Sequence, residues 1–228
     1  TYRPQLIVEL FATPTALERY SDIAAAAVDA GVDVEFATEE VIDAMGDTVT
    51  PQGFIAVCNQ FPTALKEVLS EGRDGGAVKL VAILEEVRDP GNLGTILRTA
   101  AAAGVTDVLL TPGCAQAWSP RVLRAAMGAH FGLRIREGVD AAVALADYPG
   151  EILAADLRDS VELYDLDLRG PVAWLFGSEG QGLSQAVAGH ATKRVLIPMP
   201  GGMESLNVGV AAGVCLFEQL RQRRASGR

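Results

Sequence analysis

VAWLFGSEGQGLS (172–184) and VLIPMPGGMESLNVGVAAGVCLF (195–217) decide the reading of this chain. Each is an apolar strand pattern that runs into a glycine-rich loop and then into a helical pattern. Continuous apolar runs of this kind belong to strands buried on both faces of a parallel sheet. In α/β folds, ligands bind in loops just outside the carboxyl ends of such strands. Two of these loops close together in sequence predict one small molecule, held chiefly by backbone groups.

Upstream, the same alternation continues. Val78–Leu84 reads as a buried strand and Asn92–Ala103 as a helix stopped by Gly104. Val105–Leu110 is a strand, and Ser119-Pro120 starts a helix running to about Ala129. Leu133–Ile135, Ile152–Ala155 and Val172–Phe176 are further strands, with a helix capped by Asp140 between the first two. Leu183–Ala188 is a short helix, Val195–Ile197 a strand, and Ser205–Arg224 a long final helix. This order predicts a parallel sheet with helices on both faces. Ahead of it lies a small αβ unit. It has strands at Gln5–Leu10, Val32–Phe36 and Gly53–Val57, and one helix from a Thr13 cap and Pro14 through Ala27 to Gly31. Thr38 caps another. Ser70–Gly76, with three glycines and alternating charge, has linker composition, so the expected domains are residues 1–71 and 78–228.

Composition limits the function classes. The 228 residues are 49% hydrophobic, enough for a sizeable core. The longest uncharged apolar run, 205–217, is shorter than the roughly 20 residues of a membrane span, so no membrane role is expected. No signal peptide is visible, and the missing initiator Met suggests that the natural N-terminus lies upstream. Cys58, Cys114 and Cys215 are scattered, without CxxC spacing, and His130 and His190 are the only histidines. A metal centre, a disulfide framework and a histidine-based triad are therefore not expected, and a reducing cytoplasm is. The net charge of −10 is concentrated in residues 1–77, which hold 4 Lys/Arg against 13 Asp/Glu; residues 78–228 hold 15 against 16. The larger part, with local clusters such as Arg121, Arg124, Arg134 and Arg136, keeps RNA open as a partner.

Three loops can carry chemistry. In Glu85–Arg98, Asp89-Pro90-Gly91 is a turn and Asn92 reads as a helix N-cap. Arg98 lies in a helix otherwise made of Leu93, Ile96, Leu97 and alanines, so it reads as buried and in need of a phosphate or carboxylate partner. In Gly177-Ser178-Glu179-Gly180-Gln181-Gly182 the spacing is neither a dinucleotide fingerprint nor a P-loop. In Ile197–Asn207, Ser205 reads as the N-cap of the last helix, with Asn207 in its first turn.

Together these blocks resemble the SpoU (TrmH-type) RNA ribose 2′-O-methyltransferases of the SPOUT superfamily. Motif 1 is matched at Asn92, Gly94 and Arg98, and motif 2 at Gly177, Glu179, Gly182 and Leu183. Motif 3 is matched at Ile197-Pro198-Met199 and Ser205-Leu206-Asn207-Val208. The resemblance spans about residues 80–220. It implies a C-terminal trefoil knot where the second and third loops cross, which periodicity could not have given. It implies S-adenosyl-L-methionine as cofactor, bound at Leu175, Gly177, Ile197, Met199, Ser205 and Leu206. It implies Arg98 as the main catalytic residue, with Asn92, Glu179, Ser205 and Asn207 around it. The expected reaction is attack of a ribose 2′-hydroxyl on the methyl sulfonium by a homodimer acting on structured RNA, 23S rRNA before tRNA. A tRNA enzyme, or a non-catalytic RNA-binding protein that kept the fold, are the alternatives. Residues 1–71 resemble an L30e-like RNA-binding domain but lack the basic arm usual there. Gly209 stands where the family often has Ser, which predicts a looser first turn of the last helix.

Overall fold

The computed structural model describes residues 3–46, 48, 50–60, 80–146 and 148–226. The chain divides into two units, Thr1–Phe61 and Pro62–Arg228. The glycine-rich stretch expected to join them, 70–76, lies outside the described residues.

In the first unit, β1 (Ile7–Ala12) pairs in parallel with β2 (Val34–Phe36) and antiparallel with β3 (Phe54–Cys58). Gln5 and Leu6, expected to open the first strand, lie instead in a turn of 3₁₀ helix, Pro4–Leu6. Thr13 accepts a hydrogen bond from the Ala16 amide at 3.1 Å, as expected of a cap. The single expected helix is two, α1 (Pro14–Arg19) and α2 (Ser21–Asp29), because Tyr20 leaves helical geometry at φ −125°. Its hydroxyl donates to Gln52 Oε1 at 2.8 Å and its ring meets Phe54 edge-on, so tertiary anchoring overrides the local pattern. Thr38 caps α3 (Glu39–Met45).

The second unit is a seven-stranded sheet of parallel pairs in the order β6-β5-β4-β9-β7-β10-β8. In chain order its elements are β4 (Leu80–Leu84), α4 (Pro90–Ala102), β5 (Asp107–Leu110), α5 (Pro120–Ala126), β6 (Arg134–Arg136) and α6 (Ala141–Leu145). Then come β7 (Glu151–Ala155), β8 (Val161–Glu162), β9 (Val172–Phe176), α7 (Gln185–Ala188), β10 (Lys193–Leu196) and α8 (Val208–Ala225). Every residue of β4 and β9 is buried. Side-chain alternation sends Leu80, Ala82, Leu84, Trp174 and Phe176 into a core shared with α4, α5 and α8. Val81, Ile83, Ala173 and Leu175 go to the opposite core with α6 and α7. Trp174 Nε1 donates to Gln219 Oε1 at 2.9 Å, which pins α8 to the sheet. The short edge strand β8 has no counterpart in the sequence reading; two residues are too few for a periodic signal.

Three expectations are corrected here. Asn92 is not the cap of its helix: Pro90 occupies the first turn and Asp89 is the cap, accepting from the Asn92 amide at 2.7 Å. Ser205 is not the cap of α8. Asn207 is, its Oδ1 accepting from the Gly209 and Val210 amides at 2.9 and 3.3 Å. The helix after Ser119 stops at Ala126, because Met127 and Gly128 both take left-handed geometry.

Two features set local stability. Gly94 lets α4 meet α5 closely: a Cβ there would lie 2.4 Å from Ala125 Cβ, 2.9 Å from the Val122 carbonyl oxygen and 3.0 Å from the Ala126 nitrogen. His130 is buried against Trp118, with Nε2 2.7 Å from the Ala117 carbonyl oxygen and Nδ1 without a partner among the described residues.

Gly94→Ala must force the two helix backbones apart, costing about 1–3 kcal/mol and lowering the urea midpoint, whereas Gly170→Ala, where a Cβ meets nothing and φ is not positive, should leave it nearly unchanged. Burial holds the His130 pKa below its ordinary 6.5, so the neutral ring is favoured in the folded state. Its contribution to stability is complete above pH 6.5 and is lost as the pH falls below it. Urea titrations at pH 7.5 and 5.5 should show a smaller pH-dependent loss in His130→Asn than in the wild type.

Candidate active site

The carboxyl ends of β4, β9 and β10 deliver three loops to one edge of the sheet, and one side chain joins them. Because Asp89 caps α4, the Asn92 side chain has no capping duty and turns outward from the first turn. Its Nδ2 donates to Glu179 Oε1 at 2.8 Å, and its Oδ1 accepts from Asn207 Nδ2 at 2.8 Å. An amide is the group that can donate to a carboxylate and accept from another amide at once. Asn207 is held in turn because its own Oδ1 caps α8. The expected slack at Gly209 is not found. Its amide is bonded to that cap, and its α-carbon faces Thr95, with 3.2 Å left for a Cβ.

The second loop is closed on itself. Ser178 and Gly182 exchange backbone bonds at 3.0 and 3.1 Å, leaving Glu179, Gly180 and Gln181 at the tip. Gly177 is needed for this closure: a Cβ there would sit 2.1 Å from the Gly182 carbonyl carbon. Gly182, across the closure, takes φ +66°. Glu85, just past β4, grips the far end of the loop. Its two oxygens accept from the Ser184 hydroxyl at 2.7 Å and the Ser184 amide at 2.8 Å. Ser184 Oγ also caps α7, accepting from Val187 N. Glu85 and Ser184 carried no signal in the sequence, since they are 99 residues apart; Asp89 could have been found from Pro90.

Beside this network a mainly apolar cleft opens at the ends of β7 and β10 and the start of α8. Ile197, Met199, Ser205 and Leu206 line it, with Asp156 and Ala211. Four of the six residues expected to hold the cofactor therefore share one cleft. Leu175 does not line it; it is wholly buried in the core beside α6 and α7.

Arg98 departs from expectation. It is exposed rather than buried, and it makes no hydrogen bond or ion pair with any described residue. Six residues on from Asn92, it lies about 9 Å along the helix and about 120° around it. The alanine-rich pattern suggested burial all round, but the buried side of α4 is carried by Leu93, Gly94, Ile96, Leu97 and Ala100 alone. The cysteines take no part: Cys215 is buried with its thiol pushed up to about 12, and burial also raises Cys114. Among the described residues, no group of three or more His, Cys, Asp or Glu side chains is placed to share a metal ion.

Comparison with known proteins gives this arrangement a context. Residues 79–217 match the model of the SpoU rRNA Methylase family, and residues 1–64 that of RNA 2′-O ribose methyltransferase substrate binding domains. The chain is 36% identical to mouse mitochondrial rRNA methyltransferase 3 over 236 residues, covering 81% of this chain but only 56% of the mouse protein. It is 37% identical to the 23S rRNA (guanosine-2′-O-)-methyltransferase RlmB of Xylella fastidiosa strain 9a5c, covering 90% of this chain and 84% of that one. Among solved structures, an rRNA methyltransferase from Sinorhizobium meliloti with AdoMet bound superposes with a TM-score of 0.79 at 30% identity, over 94% of this chain and 80% of that one.

Because Asp89 caps α4 and Asn92 bridges, the two residues should separate on mutation. Asp89→Ala should cost about 1 kcal/mol of stability, read as a lowered urea midpoint. Asn92→Asp should keep the helix but set a carboxylate against Glu179, and like charges at that distance force one to take up a proton. Its functional defect relative to wild type should shrink as the assay pH is lowered toward 5.

Proposed function

The chain belongs to the SpoU rRNA Methylase family, and from that premise we propose that it transfers a methyl group from S-adenosyl-L-methionine to a ribose 2′-hydroxyl of structured RNA, 23S rRNA before tRNA. The observation that carries the reading is the Glu179–Asn92–Asn207 chain of hydrogen bonds beside the cleft lined by Ile197, Met199, Ser205 and Leu206. The cleft's lining suits an adenosine sulfonium: apolar walls for the purine, few polar side chains and, among the described residues, no cationic side chain along it. When bound, the cofactor supplies an electrophilic methyl group.

The residues then divide the work. Glu179 keeps Oε2 free of described partners while Asn92 fixes Oε1, so Oε2 can accept from a ribose hydroxyl. Asn207 and Asn92 hold the motif loops in place before RNA arrives, which removes a reorganisation cost from the reaction. Ser205 lines the cleft and would offer it a hydroxyl. The Arg98 guanidinium can only donate hydrogen bonds. Its part is to bind the target phosphate and stabilise the developing alkoxide, with a phosphate oxygen or water taking the hydroxyl proton.

Arg98 and Asn92 face different ways on one helix, so a homodimer is part of the proposal. A second copy would bring its Arg98 to the network of the first. Val210 and Phe217, both exposed and seven residues apart on α8, suit such an interface. The trefoil crossing of the two loops belongs to the same reading.

Labelled methyl transfer to total rRNA and total tRNA, with mapping of alkali-resistant linkages, tests the activity. Transfer to rRNA is expected; S-adenosyl-L-methionine binding with transfer to neither RNA would favour a non-catalytic RNA-binding protein. Arg98→Ala and Asn92→Ala should each lose at least 100-fold in turnover. Mixed and allowed to exchange subunits, they should recover about a quarter of wild-type activity, since half the dimers then hold one intact site. No recovery would place Arg98 in the site of its own subunit.

A further inference from the structure

We infer that Asp156 is the residue that reads the ribose of the cofactor, an inference that rests on the cofactor reading above. Asp156 follows β7 directly and, among the described residues, is the one ionisable side chain lining the apolar cleft; Ser205 and the Met199 sulfur supply the other side-chain heteroatoms there. Its side chain is only 14% exposed. A carboxylate so placed needs partners, yet those it has leave capacity over. Oδ1 accepts the Arg158 amide at 3.2 Å. The guanidinium groups stand further off, Arg194 at 3.5 Å from Oδ2 and Arg158 at 3.8 Å from Oδ1. A carboxylate has about four acceptor positions, and a vicinal diol presents two donors spaced to meet both oxygens. Acidic side chains at strand ends read nucleotide riboses in dinucleotide-binding folds by this chemistry.

The sheet order decides which end of the cofactor meets Asp156. The network of Asn92, Glu179 and Asn207 gathers at the ends of β4 and β9, where the methyl group must be delivered. Asp156 stands at the end of β7, on the far side of β9 from β4, where β7 pairs with β10. The methionine end of the cofactor thus points toward β4 and the nucleoside end toward Asp156. The Asp156 amide donates to the Val195 carbonyl at 3.1 Å, and the Ser160 hydroxyl bonds to the Asp156 carbonyl, so the backbone that carries the carboxylate is fixed.

Calorimetry on the full chain tests this without turnover. The probes are S-adenosylhomocysteine, 5′-methylthioadenosine, which keeps the nucleoside but lacks the amino acid, and 2′-deoxy-5′-methylthioadenosine. Asp156→Asn should weaken the first two alike, by about 10- to 100-fold. Wild-type protein should bind the deoxy probe more weakly than 5′-methylthioadenosine, and Asp156→Asn should discriminate between them far less. Loss of S-adenosylhomocysteine affinity alone would mean that Asp156 holds the amino group and would overturn the inference, as would an unchanged affinity for all probes. Should Asp156→Asn fail to fold, the wild-type comparison stands by itself: equal binding of the two methylthioadenosines overturns the inference. Failure of the wild type to bind S-adenosylhomocysteine would instead overturn the cofactor reading.

Discussion

The Asn92 side-chain amide is the joint on which the site depends. It receives one hydrogen bond and gives another, and its two partners sit on loops 87 and 115 residues further along the chain. Only a parallel sheet whose strands all deliver their carboxyl ends to one edge can bring those loops within reach of a single short side chain. The joint works because Asp89 takes over the capping of α4, and because Asn207 caps α8 with the same amide oxygen side that leaves its nitrogen for Asn92. Two helix starts and one loop carboxylate are thereby fixed relative to each other by ordinary capping and amide hydrogen bonds.

Around that joint the supports are steric and electrostatic in turn. Gly177 allows the second loop to close on Gly182, and Glu85 clamps the loop's exit through Ser184. The tip that remains carries Glu179 outward, toward Asn92 and open to solvent. The apolar cleft lies beside the network and shares its third loop. Asp89 and Asn92, three residues apart, thus do different work: Asp89 caps the helix and Asn92 bridges the loops.

Much of this was legible in the sequence, for physical reasons that also mark where it stopped. Val172–Phe176 and Leu80–Leu84 are apolar throughout because both faces of a central parallel strand are covered, and the loops they feed are recognisable by their glycines. Caps were harder. Asp89 and Asn92, or Ser205 and Asn207, are all good capping residues, and the choice depends on where helical geometry begins; at α4, Pro90 held that information. Arg98 misled because alanines in a helix do not say which side is buried. Glu85–Ser184, the Tyr20 break and Asp156 had no local pattern at all, since each is defined by a partner or cleft formed only in the fold.

A mutant cycle on single-turnover methyl transfer measures whether Asn92 couples Glu179 to Asn207. Glu179→Gln and Asn207→Ala would be measured singly and together, in the wild-type background and again in Asn92→Ala. The two losses should be strongly non-additive when Asn92 is present, by on the order of 1 kcal/mol or more, and should simply add when it is absent. Additive losses in both backgrounds would contradict the coupling.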